Sequence, residues 1–192
     1  MMTLYSFQEA LCAETERVLR EIETTDWRDP TRKIKGVTAY RRALPIFESD
    51  QEEPPEENNG RPFSLPRAFI EDLEAPDLQP KPGNVFDCIP YALIRIYEGG
   101  AEGPTEPWTV TALTHLCIHD ADTNNRGHEH IMLMLQRLME RFTVEPRLGA
   151  ATVKGRIKFS VQDDETYPLF FGGLSVDFWL PRPTRGDPDG YC

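Results

Sequence analysis

All four histidines of the chain fall between positions 115 and 130, together with a cysteine and two aspartates, and these side chains are zinc ligands in many proteins. On a strand, His115, Cys117 and His119 would project from the same face, where one neighbouring pair has the reach for a metal ion. The outer two would stand about 13 Å apart, too far for two metal bonds of about 2 Å each. His128 and His130 also lack the i, i+4 spacing of a helical zinc motif. We therefore expect no metal site, and histidines that are half-buried or solvated at a strand-to-helix corner.

The sequence also lacks the motifs of several common enzyme classes. The sequence has no G-x-S-x-G, no phosphate-binding P-loop and no G-x-G-x-x-G. Its carboxylates are densest between Glu48 and Glu57, where a solvated charged segment explains them better than the fixed geometry of acid–base catalysis. We expect no catalytic residue and no cofactor. A small cytosolic metal-binding enzyme that uses the histidines remains the alternative from a different class.

The net charge and the cysteine spacing argue against several classes of protein. The 192 residues carry a formal net charge of -11, with an isoelectric point near 4.8. This acidity opposes sequence-independent binding to nucleic acid or to an anionic membrane, because both need clustered Lys and Arg. No apolar stretch approaches the roughly 20 residues that cross a bilayer. The cysteines form no C-x-x-C pair, and Cys88 and Cys117 fall within apolar strand patterns, which predicts small buried side chains in a reducing compartment.

Apolar periodicity predicts two helices and a set of strands. The first helix starts at the capping-box pattern of residues 6–9 and should end before Asp29, which precedes a proline; the second covers residues 127–142. The predicted strands are residues 36–45, 89–97, 108–118, 152–161 and 169–180. We expect an α/β fold of the α+β type, in which a small, mostly antiparallel sheet of about four to five strands packs against two helices.

The domain organisation follows from composition. Residues 47–84 are acidic and proline-rich, which is typical of an insertion without a core of its own. Residues 184–192 have the proline, glycine and charge content of a flexible C-terminal tail. We therefore expect a single domain over residues 1–183 that carries the insertion.

Aromatic side chains concentrate near the C-terminal end, where residues 167–181 read YPLFFGGLSVDFWLP. Left in water they would form a sizeable apolar patch, and such patches belong to a core or to a partner surface. Arg95 is a charge within an otherwise apolar strand, either paired with a carboxylate or reaching an edge. The candidate residues of a subunit or partner interface are Tyr167, Phe170, Phe171, Phe178, Trp179, Arg95 and Trp108. For the aromatic cluster, an ordinary contribution to the core is the alternative interpretation.

Four fragments, taken in order, carry a family resemblance. They are two strand-like segments, 37–45 (VTAYRRALP) and 89–99 (IPYALIRIYEG), a strand exit followed by a long helix, 118–122 (IHDAD) and 131–142 (IMLMLQRLMERF), and a closing segment, 167–174 (YPLFFGGL). Together they resemble the first two strands, the third-strand exit, the long helix and the closing Tyr-Pro-aromatic-aromatic-Gly signature of the tail terminator (tail completion) proteins of long-tailed bacteriophages and prophages. The acidic insertion is longer than the connection we would expect in that family.

The resemblance implies a structural virion protein that assembles with copies of itself into a ring, with a hexamer as the expected size. Such a ring caps the head-proximal end of the tail tube, stops tube polymerisation and docks the head–tail connector or stopper protein. DNA would pass through the lumen without specific binding, helped by repulsion from acidic side chains, and no membrane is involved. The implied location is the neck of the virion, after assembly in the host cytoplasm. Another neck component, such as a head–tail stopper or adaptor, remains the close alternative.

Overall fold

The computed structural model describes residues 2–29, 31–41, 44, 88–103, 106–121, 126–162 and 166–181. Within these residues the chain is an α+β protein, which confirms the predicted fold class. The helices are α1 (Leu4–Leu19) and α2 (Gly127–Val144). The strands are β1 (Glu23–Thr25), β2 (Lys33–Lys35), β3 (Thr38–Arg41), β4 (Tyr91–Gly100), β5 (Trp108–His119), β6 (Arg147–Leu148), β7 (Ala151–Val161) and β8 (Leu169–Leu180). The predicted insertion at 47–84 and the tail at 184–192 lie outside the described residues.

Six of the described strands form one sheet, in the order β3–β4–β5–β8–β7–β6, and β1 and β2 form a separate antiparallel pair. β3 runs parallel to β4, and the other neighbours in the six-stranded sheet are antiparallel. The sheet is therefore mostly antiparallel, as predicted, with one more strand than the predicted maximum. That additional strand is β6, which has only two residues and is too short to leave a periodic pattern in the sequence.

The start of α1 differs from the prediction by three residues. Thr3 is the N-cap, and its hydroxyl accepts a hydrogen bond from the backbone N–H of Ser6 at 3.1 Å. The Ser6 hydroxyl accepts one in return from the backbone N–H of Thr3 at 2.8 Å. The capping box is therefore real but begins at Thr3, and Ser6 occupies the position that Glu or Gln usually fills.

The end of α1 was also predicted wrongly, because the helix stops at Leu19 and the β1–β2 hairpin follows. Thr24 and Thr25 lie in β1 and are buried, with 0% and 3% of their surface exposed. β-branched side chains fit a half-buried strand better than a helix. Gly36 then takes a positive φ of 83° and turns the chain from β2 into β3.

The main core lies between the helices and one face of the six-stranded sheet. Phe178 of β8 stands at its centre, with its ring edge-on to Phe7 of α1 and to Phe142 of α2 at centroid distances of 5.0 and 5.6 Å. Three elements that are far apart in the sequence thus meet at three aromatic rings, an arrangement that adds specific ring contacts to the burial of apolar area.

Two glycines allow α2 to lie close to β8. A Cβ atom on Gly172 would lie 2.6 Å from Cγ2 of Ile131, and one on Gly127 would overlap the ring of Phe170. Only glycine fits at such close approaches without a shift of its neighbours. The predicted apolar face of α2 is buried against the sheet, at Ile131, Met134, Leu135, Leu138 and Phe142.

Candidate subunit interface

The aromatic residues of the C-terminal segment do not form one patch. Side chains alternate between the two faces of a strand, so Phe170 and Phe178 of β8 point toward the helices, and Phe171 and Trp179 point the other way. We call the face of the six-stranded sheet that is turned away from α1 and α2 the outer face. The strand pairing thus divides the predicted cluster between a core and a surface.

Phe178 was predicted as an interface candidate with a core contribution as the alternative, and the structure places it in the main core. The residue has 0% of its surface exposed and is enclosed by Phe7 and Phe142. A partner protein cannot reach it while the subunit stays folded. Its contribution is to join β8 to both helices.

Trp179 and Tyr167 are the accessible members of the set, with 44% and 54% of their surface exposed. Tyr167 lies in the turn before β8 and Trp179 lies near the other end of the strand, and the strand from Leu169 to Trp179 spans roughly 33 Å. Trp179 has the ammonium group of Lys154 at 5.5 Å from its ring centroid, and the Tyr167 hydroxyl donates a hydrogen bond to the Ala121 carbonyl at 3.1 Å. Each can contact a partner, but one compact partner surface cannot cover both.

The other three aromatic candidates are partly buried. Phe170 and Trp108 pack against the main core, and Phe171 packs against a second apolar cluster at one end of the outer face. That second cluster consists of Leu44, Cys88, Ile89, Tyr91, Leu93, Cys117 and Leu169. Burial raises the pKa of the Cys117 thiol, which keeps it protonated and makes it a packing residue, as the sequence predicted.

Arg95 is exposed and lies on the outer face of β4, on the strand next to that of His115. Burial, and next the positive charge of Arg95, lower the pKa of His115 to about 4. The imidazole of His115 is therefore neutral at pH 7. Arg95 stays accessible to a partner on the outer face.

The remaining histidines lie at the corner between β5 and α2. His119 is 7% exposed, and burial lowers its pKa, against the opposing effect of the Asp120 and Asp26 carboxylates. His130 Nδ1 lies 3.3 Å from Oδ2 of the buried Asp120. Among the described residues, no group of three or more His, Cys, Asp or Glu side chains is arranged to hold a metal ion.

Two open strand edges are the feature that the sequence did not indicate. β6 pairs only with the first two residues of β7, so within the described part of the chain the rest of β7 has a strand neighbour on one side only. Among the described residues, β3 pairs only with residues 91–94 of β4, which leaves residues 95–100 with a strand neighbour on one side only. Two strands lie between β4 and β7, so these edges lie on opposite sides of the sheet, about 14 Å apart by strand spacing. Exposed aromatic residues stand on both, Phe159 at 51% and Tyr97 at 70%.

A scan against protein-family models and a search of curated proteins found no match to this chain. None of the helices within the described residues is both long enough and apolar enough to span a membrane.

Proposed function

We propose that this protein is a structural virion subunit, a tail terminator that forms a ring on the head-proximal end of a phage tail tube. The fragments that resemble the family fall on the elements that build one sheet and its covering helix. Residues 37–45 contain β3, residues 89–99 contain most of β4, and residues 167–174 lead into β8. The fragments thus belong to one folded unit, which supports treating them as a single family resemblance.

The observation that carries the proposal is that, within the described residues, one sheet has two unlike strand edges without a neighbouring strand, at β4 and β7. A closed ring of identical subunits requires two different surfaces that complement each other, one on each side of the subunit. Open strand edges are surfaces with unpaired backbone donors and acceptors, and proteins leave them uncovered at some risk of aggregation. In a ring, a neighbouring copy would cover the β4 edge on one side of each subunit and the β7 edge on the other side.

The acidity of the chain fits a passage for DNA. Residues 47–84 hold ten Asp and Glu against three Lys and Arg, so most of the formal net charge of -11 belongs to the predicted insertion. Carboxylates that face a channel repel phosphates and keep DNA sliding. The proposal therefore includes an acidic lumen, without specific binding of the DNA.

Addition of the purified protein to polymerising tail-tube protein tests the function, with negative-stain imaging as the readout. A tail terminator binds one end of each tube, and mean tube length falls as the ratio of protein to tube subunit rises. A stopper or adaptor would form rings that bind the connector and leave tube length unchanged. Tubes of unchanged length with bare ends, together with no binding to the connector, would rule out every neck role.

A further inference from the structure

We propose that neighbouring copies in the ring join by pairing the open edge of β7 in one copy with the open edge of β4 in the next. This inference rests on the proposed ring and specifies its subunit contact. Residues 157–161 of β7 and residues 95–100 of β4 are regular or nearly regular strand segments of similar length. Each has hydrogen-bonding capacity left on one side within the described part of the chain. Strand addition of this kind uses main-chain hydrogen bonds for affinity.

The β7 edge is basic. Arg156 and Lys158 are exposed, and neither side chain makes an ion pair or hydrogen bond with another described residue. Lys154 stands before them, with its ammonium group at 3.3 Å from the Thr109 hydroxyl. The register shifts between Val153 and Ile157, where Gly155 takes a φ of 77°, so the strand has a bulge that contains Lys154 and Arg156.

The β4 edge and the turn that follows it are acidic. Glu98, Glu102 and Glu106 are exposed, and their side chains make no ion pair or hydrogen bond within the described residues. Arg95 is the positive charge on the same segment, and it lies at the end next to β3. The outer part of β4 and its turn therefore present three negative charges to an approaching strand.

The charges decide which edges pair. Two copies of the same edge would bring like charges together, and like charges that face each other across an interface repel. Two β7 edges would oppose positive charges, and two β4 edges would oppose negative ones, so both symmetric dimers are disfavoured. The unlike edges attract, and head-to-tail contact of this kind between identical subunits forms a ring when the rotation from copy to copy closes on itself. The exposed Phe159 and Tyr97 would then lose contact with water in the same interface.

Charge reversal on one edge at a time tests this contact in the full-length protein. The acidic-edge variant is Glu98→Lys/Glu102→Lys, and the basic-edge variant is Arg156→Glu/Lys158→Glu. Each variant alone carries the same charge on both edges, so we expect the protein concentration for half-assembly to rise about tenfold or more in light scattering and sedimentation. An equimolar mixture restores assembly, because alternating copies again oppose unlike charges.

Matched controls change as many charges on exposed positions away from both edges. Glu23→Lys/Glu129→Lys is the control for the acidic edge, and Arg126→Glu/Arg137→Glu is the control for the basic edge. These controls should assemble like the wild type. Circular dichroism and thermal unfolding show that each variant is folded. Where the isolated wild type stays monomeric, the same variants and mixture are assayed by capping of growing tail tubes.

The outcomes separate this contact from the proposed function. The contact is supported if each variant alone fails to assemble or to cap tubes while the equimolar mixture does so. Wild-type behaviour of both variants, or a mixture that fails where the wild type succeeds, overturns it. If the wild type caps tubes and both variants cap equally well, the function stands and the contact is wrong. If the mixture forms rings but the wild type leaves tube length unchanged, the contact stands and the function is wrong. A wild type that neither assembles nor caps overturns both.

Discussion

Replacement of Phe178 by alanine separates a core role from an interface role. The Phe178 ring is fully buried and touches Phe7 at 5.0 Å and Phe142 at 5.6 Å between centroids. Alanine would leave a cavity where α1, β8 and α2 meet. Because the next residue, Trp179, is exposed on the other face of the same strand, Trp179→Ala is a matched control.

The expected loss follows from the environment of the ring. Truncation of a buried Phe to Ala costs about 3–5 kcal/mol of unfolding free energy, and each edge-to-face ring pair is worth about 0.5–1.5 kcal/mol beyond area burial. Because Phe178 makes two such pairs, we expect the loss of unfolding free energy in Phe178→Ala to lie near the upper end of this range, at about 4–5 kcal/mol. A domain of this kind has roughly 5–15 kcal/mol in total, so the variant is close to unfolding. Trp179→Ala should cost less, about 1–2 kcal/mol, because 44% of the Trp179 surface is already in water.

Urea unfolding followed by circular dichroism measures both values from the midpoint and the slope. If Phe178→Ala does not fold, Phe178→Leu replaces it and should cost roughly 1–2 kcal/mol, because it keeps most of the buried volume. A loss from Phe178→Ala that does not exceed the loss from Trp179→Ala would refute the placement of the ring in the core.

Two further predictions concern the packing of α2 and the buried histidines. Gly172→Ala should lower the unfolding free energy by about 1–3 kcal/mol, because the added methyl group would lie 2.6 Å from Cγ2 of Ile131. The control Gly100→Ala, whose added methyl group would have no atom within 4 Å, should cost less than about 1 kcal/mol in the same urea titration. Equal costs for the two variants would contradict the close approach of α2 to β8. Folding lowers the pKa of His115 from 6.5 to about 4, so the unfolded chain takes up the proton first and stability should fall as pH drops from 6.5 to 4. The fall attributable to His115 should be on the order of 3 kcal/mol, because a difference of one pKa unit between the folded and the unfolded chain corresponds to about 1.4 kcal/mol. His115→Gln should reduce this fall, His128→Gln at an exposed position should leave it in place, and identical profiles for all three proteins would contradict the assignment.

The strands of the six-stranded sheet were largely predictable because their apolar patterns are long. β5, β7 and β8 each begin and end within one residue of the predicted bounds, as expected for elements whose inward side chains alternate. The end of α1 was not predictable from the proline at position 30 alone. Burial of Thr24 and Thr25 in a hairpin depends on contacts with distant parts of the chain, and tertiary packing of this kind overrides local propensity.

The candidate interface was harder to predict than the fold. Aromatic residues in one segment looked like one patch, but strand alternation places Phe178 in the core and leaves Trp179 exposed. The open edges depend on which strands are neighbours and on how short β3 and β6 are. Pairing order is a long-range property, and no local pattern in the sequence encodes it. A role of Arg156 and Glu98 in subunit pairing can be inferred only after the sheet order shows that their strands have open edges.

Tail length in particles made without this protein distinguishes a tail terminator from every other neck component. The gene is deleted from a phage or prophage that carries it, lysates are imaged, and the distribution of tail lengths is measured with and without a complementing copy. We expect overlong tails of variable length without the protein and a narrow distribution once the wild-type copy is supplied. Tails of normal length and narrow distribution in its absence would contradict it.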